Sequence, residues 1–196
     1  MQVRILFRQF LPVALLLASF LARANAADLG TDLHGQPIQS LADPGTRAVV
    51  LFFAASDCPI SNRYVPEINR LTQEFASQGV RVWWVYPNAG DTAKVVADHD
   101  RDFAIAGDTI LDTKQSLVKL ADATVTPEAA VFLVEGSALR EVYHGRVDDR
   151  YISLGQERPQ AQRHDLELAI TAVLAGKPVP QPQGPPVGCS IVFLQK

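Results

Sequence analysis

The chain has 196 residues, a formal net charge of −3, 47% hydrophobic and 20% charged residues, and two cysteines. A mildly acidic balance gives no reason to expect nucleic-acid binding. The length suits one domain with a sizeable core, and no nucleotide-binding glycine loop, serine-nucleophile signature or metalloprotease spacing is present.

Arg4 and Arg8 precede an apolar run from Phe10 to Ala22, and Ala24-Asn25-Ala26 is a small-x-small cleavage signal, the pattern of a secretory signal peptide over residues 1–26. The run is 13 residues long, short of the roughly 18 that a spanning helix needs. The expectation is therefore a soluble, periplasmic or secreted protein with no stable membrane insertion after cleavage. No cysteine follows the cut, which argues against a lipoprotein. With three arginines and no acid leaving, the formal charge moves to −6 over 170 residues. These divide into a domain at 27–175 and a Pro-rich tail at 176–196, and both cysteines stay in a compartment where disulfides persist.

Residues 27–46 are polar and turn-rich and predict an edge strand or hairpin. Ala48 to Ala54 is a continuous apolar, β-branched and aromatic run, the pattern of a strand buried on both faces. After Cys58 the period changes to 3.6, with Tyr64, Ile68, Leu71 and Phe75 on one stripe, so a helix begins near Pro59. Cys58 thus sits where a strand feeds a helix N-terminus, whose free N–H groups and dipole favour a thiolate; it is the candidate nucleophile. Arg63, one turn on, is the candidate for lowering the thiol further.

Val80 to Tyr86 reads as a second strand, which makes a right-handed parallel βαβ unit with the first. Trp83 and Trp84 point to opposite faces of it and predict core packing. Asp91 is placed to cap a helix from Thr92 to about Phe103, and a short strand is expected within 105–111. Lys114 to Ala121 has a helical period through Leu117 and Leu120. Thr126-Pro127 then opens a hairpin, Ala129 to Val134 joined to Leu139 to His144 by Glu135-Gly136-Ser137. Residues 145–150 read as a charged, solvated loop in which Arg146 and Asp148 could serve a thiolate. His164 to Leu174 is the closing helix.

The strand–cysteine–proline–helix order resembles the thioredoxin superfamily, with Cys58-Pro59-Ile60-Ser61 in the place of its Cys-x-x-Cys. Ser61 stands where the second cysteine would be, so no local disulfide forms. The resemblance implies an α/β thioredoxin-like fold, a central mixed sheet flanked by helices, with a cis Pro127 against the active cysteine and a backbone edge offered to an extended substrate. The 69-residue interval from Cys58 to Pro127 fits an inserted βα unit, as in the redoxin branch of alkyl hydroperoxide reductase and thiol-specific antioxidant type. The Cys-Pro-x-Ser-Asn-Arg, Thr-Pro-Glu, Gly-Arg-x-Asp-Asp and terminal Gly-Cys segments are similar to bacterial redoxin-domain proteins. Pro59, Ser61, Asn62 and Thr126, which flank Cys58 and Pro127, are the substrate-binding candidates.

Gly176 to Gly188 carries five prolines and is expected to be extended, and it is long enough to bring Cys189 to Cys58. Cys189 is then a resolving cysteine, half of a permanent staple, or a soft ligand sharing a metal with Cys58. The implied activity is thiol–disulfide exchange with protein thiols and disulfides, needing a separate reductant and no cofactor. One alternative is copper binding, for which a cysteine pair with a histidine (His34, His99, His144 or His164) is suited. Another is peroxide reduction, although the family's threonine three residues before the cysteine is Ala55 here.

Overall fold

The computed structural model describes residues 28–194, so the predicted signal peptide lies outside the described residues. Its elements run β1 (Ala48–Phe53), α1 (Pro59–Arg63), α2 (Val65–Ala76), β2 (Val80–Tyr86), α3 (Ala93–Phe103), β3 (Asp108–Leu111), α4 (Ser116–Leu120), β4 (Val125–Thr126), β5 (Glu128–Glu135), β6 (Ala138–Gly145), β7 (Tyr151–Ser153), β8 (Gln156–Glu157), α5 (Asp165–Leu174) and β9 (Cys189–Ser190). No helix among the described residues is long and apolar enough to cross a membrane.

The central sheet has the order β3-β2-β1-β5-β6. Strands β1, β2 and β3 are parallel, and β5 and β6 run antiparallel to their neighbours. All six residues of β1 are buried, as the unbroken apolar run requires of a strand covered on both faces. On one face Val50, Phe52 and Trp84 pack under α2 and α5, with Val96 of α3 beside them; on the other Leu51, Phe53 and Trp83 pack with Leu117 and Val118 of α4. The two tryptophans thus split between the faces, as side-chain alternation dictates. Each indole finds a backbone acceptor, Trp83 on Leu41 O at 2.9 Å and Trp84 on Ala106 O at 3.0 Å. The stripe Tyr64, Ile68, Leu71 and Phe75 is buried as its spacing predicts.

Several local expectations are corrected. The helix after Cys58 is broken at Tyr64 into α1 and α2. Asp91 does not cap α3; Thr92 does, its hydroxyl accepting from Val95 N. Leu120 is exposed, because α4 spans only five residues and its period ends with it. Residues 28–46 form no strand, only isolated bridges from Thr31 to Pro37 and Leu111. The 145–150 segment is not a solvated loop. Val147, Asp148 and Asp149 are buried, with Asp148 Oδ1 accepting from Tyr64 Oη at 2.5 Å and from Arg150 N at 2.8 Å. Burial pushes both Tyr64 and Asp148 up. Arg146 donates to the buried carboxylate of Asp165 at 2.6 Å, and Arg163 donates to the same group. Arg146 and Asp148 are therefore fold contacts.

Candidate redox site

Beyond β1 the chain turns at Ser56-Asp57, and Cys58 occupies the N-cap of α1 in extended conformation (φ −87°, ψ 111°), its carbonyl accepting from Asn62 N at 3.0 Å. The peptide bond Thr126-Pro127 is cis. Cys58 Sγ lies 3.1 Å from the Thr126 carbonyl oxygen, a ready acceptor for the reduced thiol's S–H. Strand–helix junction and Pro127 thus meet at the sulfur.

Cys58 is bonded to Cys189, 131 residues away, with the two Cα atoms 6.2 Å apart, inside the usual disulfide span. The tail that delivers Cys189 runs along the sheet edge. Pro182 packs against Gly145 of β6, and Gly184 lies against the Arg146 guanidinium. Beyond it β9 pairs antiparallel with β4, Thr126 opposite Cys189. In the bridged state Cys58 is covered, 1% exposed, whereas Cys189 is half-buried and lines a cleft of about 650 Å³ with Ser56, Asp91, Val192 and Phe193.

The other predicted site residues fall in three places. Pro59 is exposed at the start of α1, and the Ser61 hydroxyl is buried with no hydrogen-bond partner among the described residues. Asn62 acts inward: its amide donates to Ser56 O at 3.2 Å, and its Oδ1 accepts from His99 Nε2 at 2.8 Å, which leaves His99 Nδ1 to accept from Tyr86 Oη. Arg63, expected at the sulfur, lines a second cleft with Tyr64, Glu67 and Asp148, and its charge falls on Tyr151 and Glu157.

Two carboxylates that sequence reading missed brace the site. Asp91 Oδ1 accepts from Ser56 N at 3.0 Å and Ser56 Oγ at 2.5 Å, which fixes the turn before Cys58. Burial pushes this carboxyl above its usual range. Glu128, 1% exposed, holds the strand before Pro127, accepting from Thr124 N at 2.8 Å and Val125 N at 3.2 Å through Oε2, with His144 Nε2 2.6 Å from Oε1. Burial alone would raise Glu128, but His144 and the backbone donors outweigh it and hold the carboxyl down, while the Glu128 carboxylate raises His144. The sign follows from linkage. The lowered Glu128 contributes stability above its ordinary 4.5 that is lost as pH falls, and the raised His144 contributes below its ordinary 6.5 and is lost as pH rises. Replacing Glu128 by Gln is expected to cost about 3 kcal/mol at pH 6, with the difference from the parent shrinking toward pH 9, as read from chemical denaturation at each pH.

The copper reading needs a sulfur pair with an imidazole. In this state the sulfurs bind each other, and the ligating group that gathers among the described residues is Glu67, His164 and Glu167, without either cysteine.

Residues 22–143 match the AhpC/TSA family, more than half of the chain. The chain belongs to that family. It is a redoxin of the thioredoxin superfamily, with the mixed sheet and flanking helices that the resemblance implies. Among solved structures, a hypothetical protein of Sinorhizobium meliloti 1021 is 26% identical, with a TM-score of 0.71 over 85% of this chain and 91% of that one. An uncharacterized conserved protein of Geobacillus kaustophilus is 24% identical, with a TM-score of 0.68 over 85% and 88%. No curated protein matches it.

Proposed function

We propose that this redoxin is an exported thiol–disulfide oxidoreductase in which Cys58 is the nucleophile and Cys189 the resolving cysteine. The observation that carries the reading is the bridge itself: a buried sulfur at a strand–helix junction, against cis Pro127, joined to a half-buried sulfur on a separate tail. The signal-peptide pattern of residues 1–26 supports export to an oxidising compartment.

In the reduced protein the Cys58 thiolate attacks one sulfur of a partner disulfide. A Cys58–partner bond forms and the partner's second sulfur leaves as thiolate. The Cys189 thiolate then attacks Cys58 Sγ, closing the internal disulfide and releasing the partner's first sulfur. One disulfide is reduced and one dithiol oxidised. Recharging starts at the other sulfur, because Cys189 lines the cleft while Cys58 is covered. A reductant thiolate attacks Cys189, Cys58 leaves as thiolate beside the start of α1, and the reductant's second thiol resolves its own mixed disulfide.

Thiol counting tests the pair: no free thiol in the protein as isolated and two after dithiothreitol. The reduced protein is then expected to accelerate insulin disulfide reduction over dithiothreitol alone. Two free thiols without acceleration would overturn the assignment.

A further inference from the structure

The tail is held by far more than its disulfide. Past the β4–β9 ladder, Ile191 N donates to Thr124 O at 3.0 Å, and Val192 N donates to Asn88 Oδ1 at 3.2 Å. Gln115 then meets two main-chain groups with one amide: Nε2 donates to Val192 O at 2.8 Å, and Oε1 accepts from Leu194 N at 2.9 Å. This amide is built to stay in place. Gln115 is 2% exposed, has a left-handed backbone (φ 55°), donates its own N–H to Asp112 O at 2.8 Å and also reaches Pro87 O at 3.2 Å. A fixed donor and acceptor spaced for the C=O of one residue and the N–H of the second residue after it read extended chain whatever its side chains are.

Side chains are filtered at two positions only. At Gly188 an added Cβ would overlap the Thr126 carbonyl oxygen and come within 2.6 Å of its carbon and 2.9 Å of Pro127 N, all backbone that has no room to give. Ile191 is 3% exposed, sunk among the residues packed under the sheet, Leu117 and Ala123 among them. Ser190, Val192, Phe193 and Leu194 are exposed. The contacts therefore describe an extended segment with glycine before the cysteine and a medium-sized apolar residue two positions after it.

We propose that Gln115 and Asn88 extend the edge at Pro127, where the family resemblance already places an extended substrate, into a longer groove and act there as specificity-determining residues for the cysteine-bearing segment of the partner, with residues Gly188–Leu194 as the resident occupant. The partner chemistry is an extended Gly-Cys-x-apolar stretch. This rests on the thiol–disulfide reading, since the partner brings the cysteine. It also gives the resolving step a second consequence: when the tail returns, Cys189 displaces the partner's sulfur and Gly188–Leu194 displaces its backbone from the same groove.

The test separates groove from chemistry by using a ligand with no cysteine, the labelled peptide Pro-Val-Gly-Ser-Ser-Ile-Val-Phe-Leu, read by fluorescence anisotropy. The receptor is the full chain carrying Cys189→Ser and Gly188→Val, whose own tail is unbonded and cannot seat; Cys189→Ser with Ile191→Asp is a second receptor, undocked by a different route. Saturable binding is expected to both, and little to the oxidised parent. Val in place of the peptide's glycine, or Gln115→Glu in the receptor, which keeps the shape but turns the donor facing Val192 O into an acceptor, should each weaken binding at least about tenfold. No binding to either folded receptor, or binding indifferent to both changes, overturns the proposal. Peptide binding that persists while the parent fails to reduce insulin would remove the redox reading alone, and turnover without peptide binding would remove the groove alone.

Discussion

Replacing Cys58 by Ser is expected to reduce disulfide turnover to background, a loss of at least about a hundredfold, while replacing Cys189 by Ser leaves the first exchange intact and stops the second. The asymmetry follows from position. Cys58 caps a helix against the cis Thr126-Pro127 bond, whereas Cys189 sits on a separate segment; in the proposed mechanism the first takes the partner's sulfur and the second releases it. In the Cys189→Ser protein the partner therefore stays attached, and a mixed disulfide accumulates that a non-reducing gel displays and mass mapping assigns to Cys58. Retained turnover in Cys58→Ser would remove that residue from the mechanism. Absence of any adduct in Cys189→Ser, with the parent active, would make the bridge a structural staple.

The parts of this site legible in the sequence are those with a local signature. The unbroken run Ala48 to Ala54 reads as a doubly covered strand through its shortness and its β-branched and aromatic content, the stripe from Tyr64 to Phe75 fixes the helix after it, and the hairpin signal places Thr126-Pro127 at a strand entrance. Chain arithmetic alone allowed Cys189 to reach Cys58. What was illegible is the polar bracing, since its partners lie far apart in sequence. Asp91 reaches back 35 residues to Ser56, Tyr64 reaches forward 84 to Asp148, and Gln115 meets the tail 77 residues on. A charge pattern read locally makes 145–150 a solvated loop, because nothing nearby reveals that Asp165 waits to pair with Arg146. Arg63 fails for a related reason. It lies five residues beyond Cys58, which at about 100° per residue is about 140° round the axis of α1, and it lines another cleft.

Reducing the Cys58–Cys189 bond is expected to lower the unfolding free energy by as much as about 5 kcal/mol, the chain-entropy value for a loop of 131 residues. That full value holds only if the tail stays seated after the bond opens; if it lifts off, the native state gains freedom too and the loss is smaller. Ile191 discriminates between these outcomes. In the oxidised protein Ile191→Ala should cost about 2 to 5 kcal/mol, the usual penalty for emptying a buried aliphatic site. In the reduced protein, once the tail has left, Ile191 is already in water and the same substitution should cost under about 1 kcal/mol. Denaturant unfolding of parent and variant, each with and without reductant, closes the double cycle. A strong coupling between the bond and Ile191 means that reduction vacates the groove, as a partner segment requires. Equal cost in both states would mean that the tail never leaves, and a groove that never empties has no room for a partner.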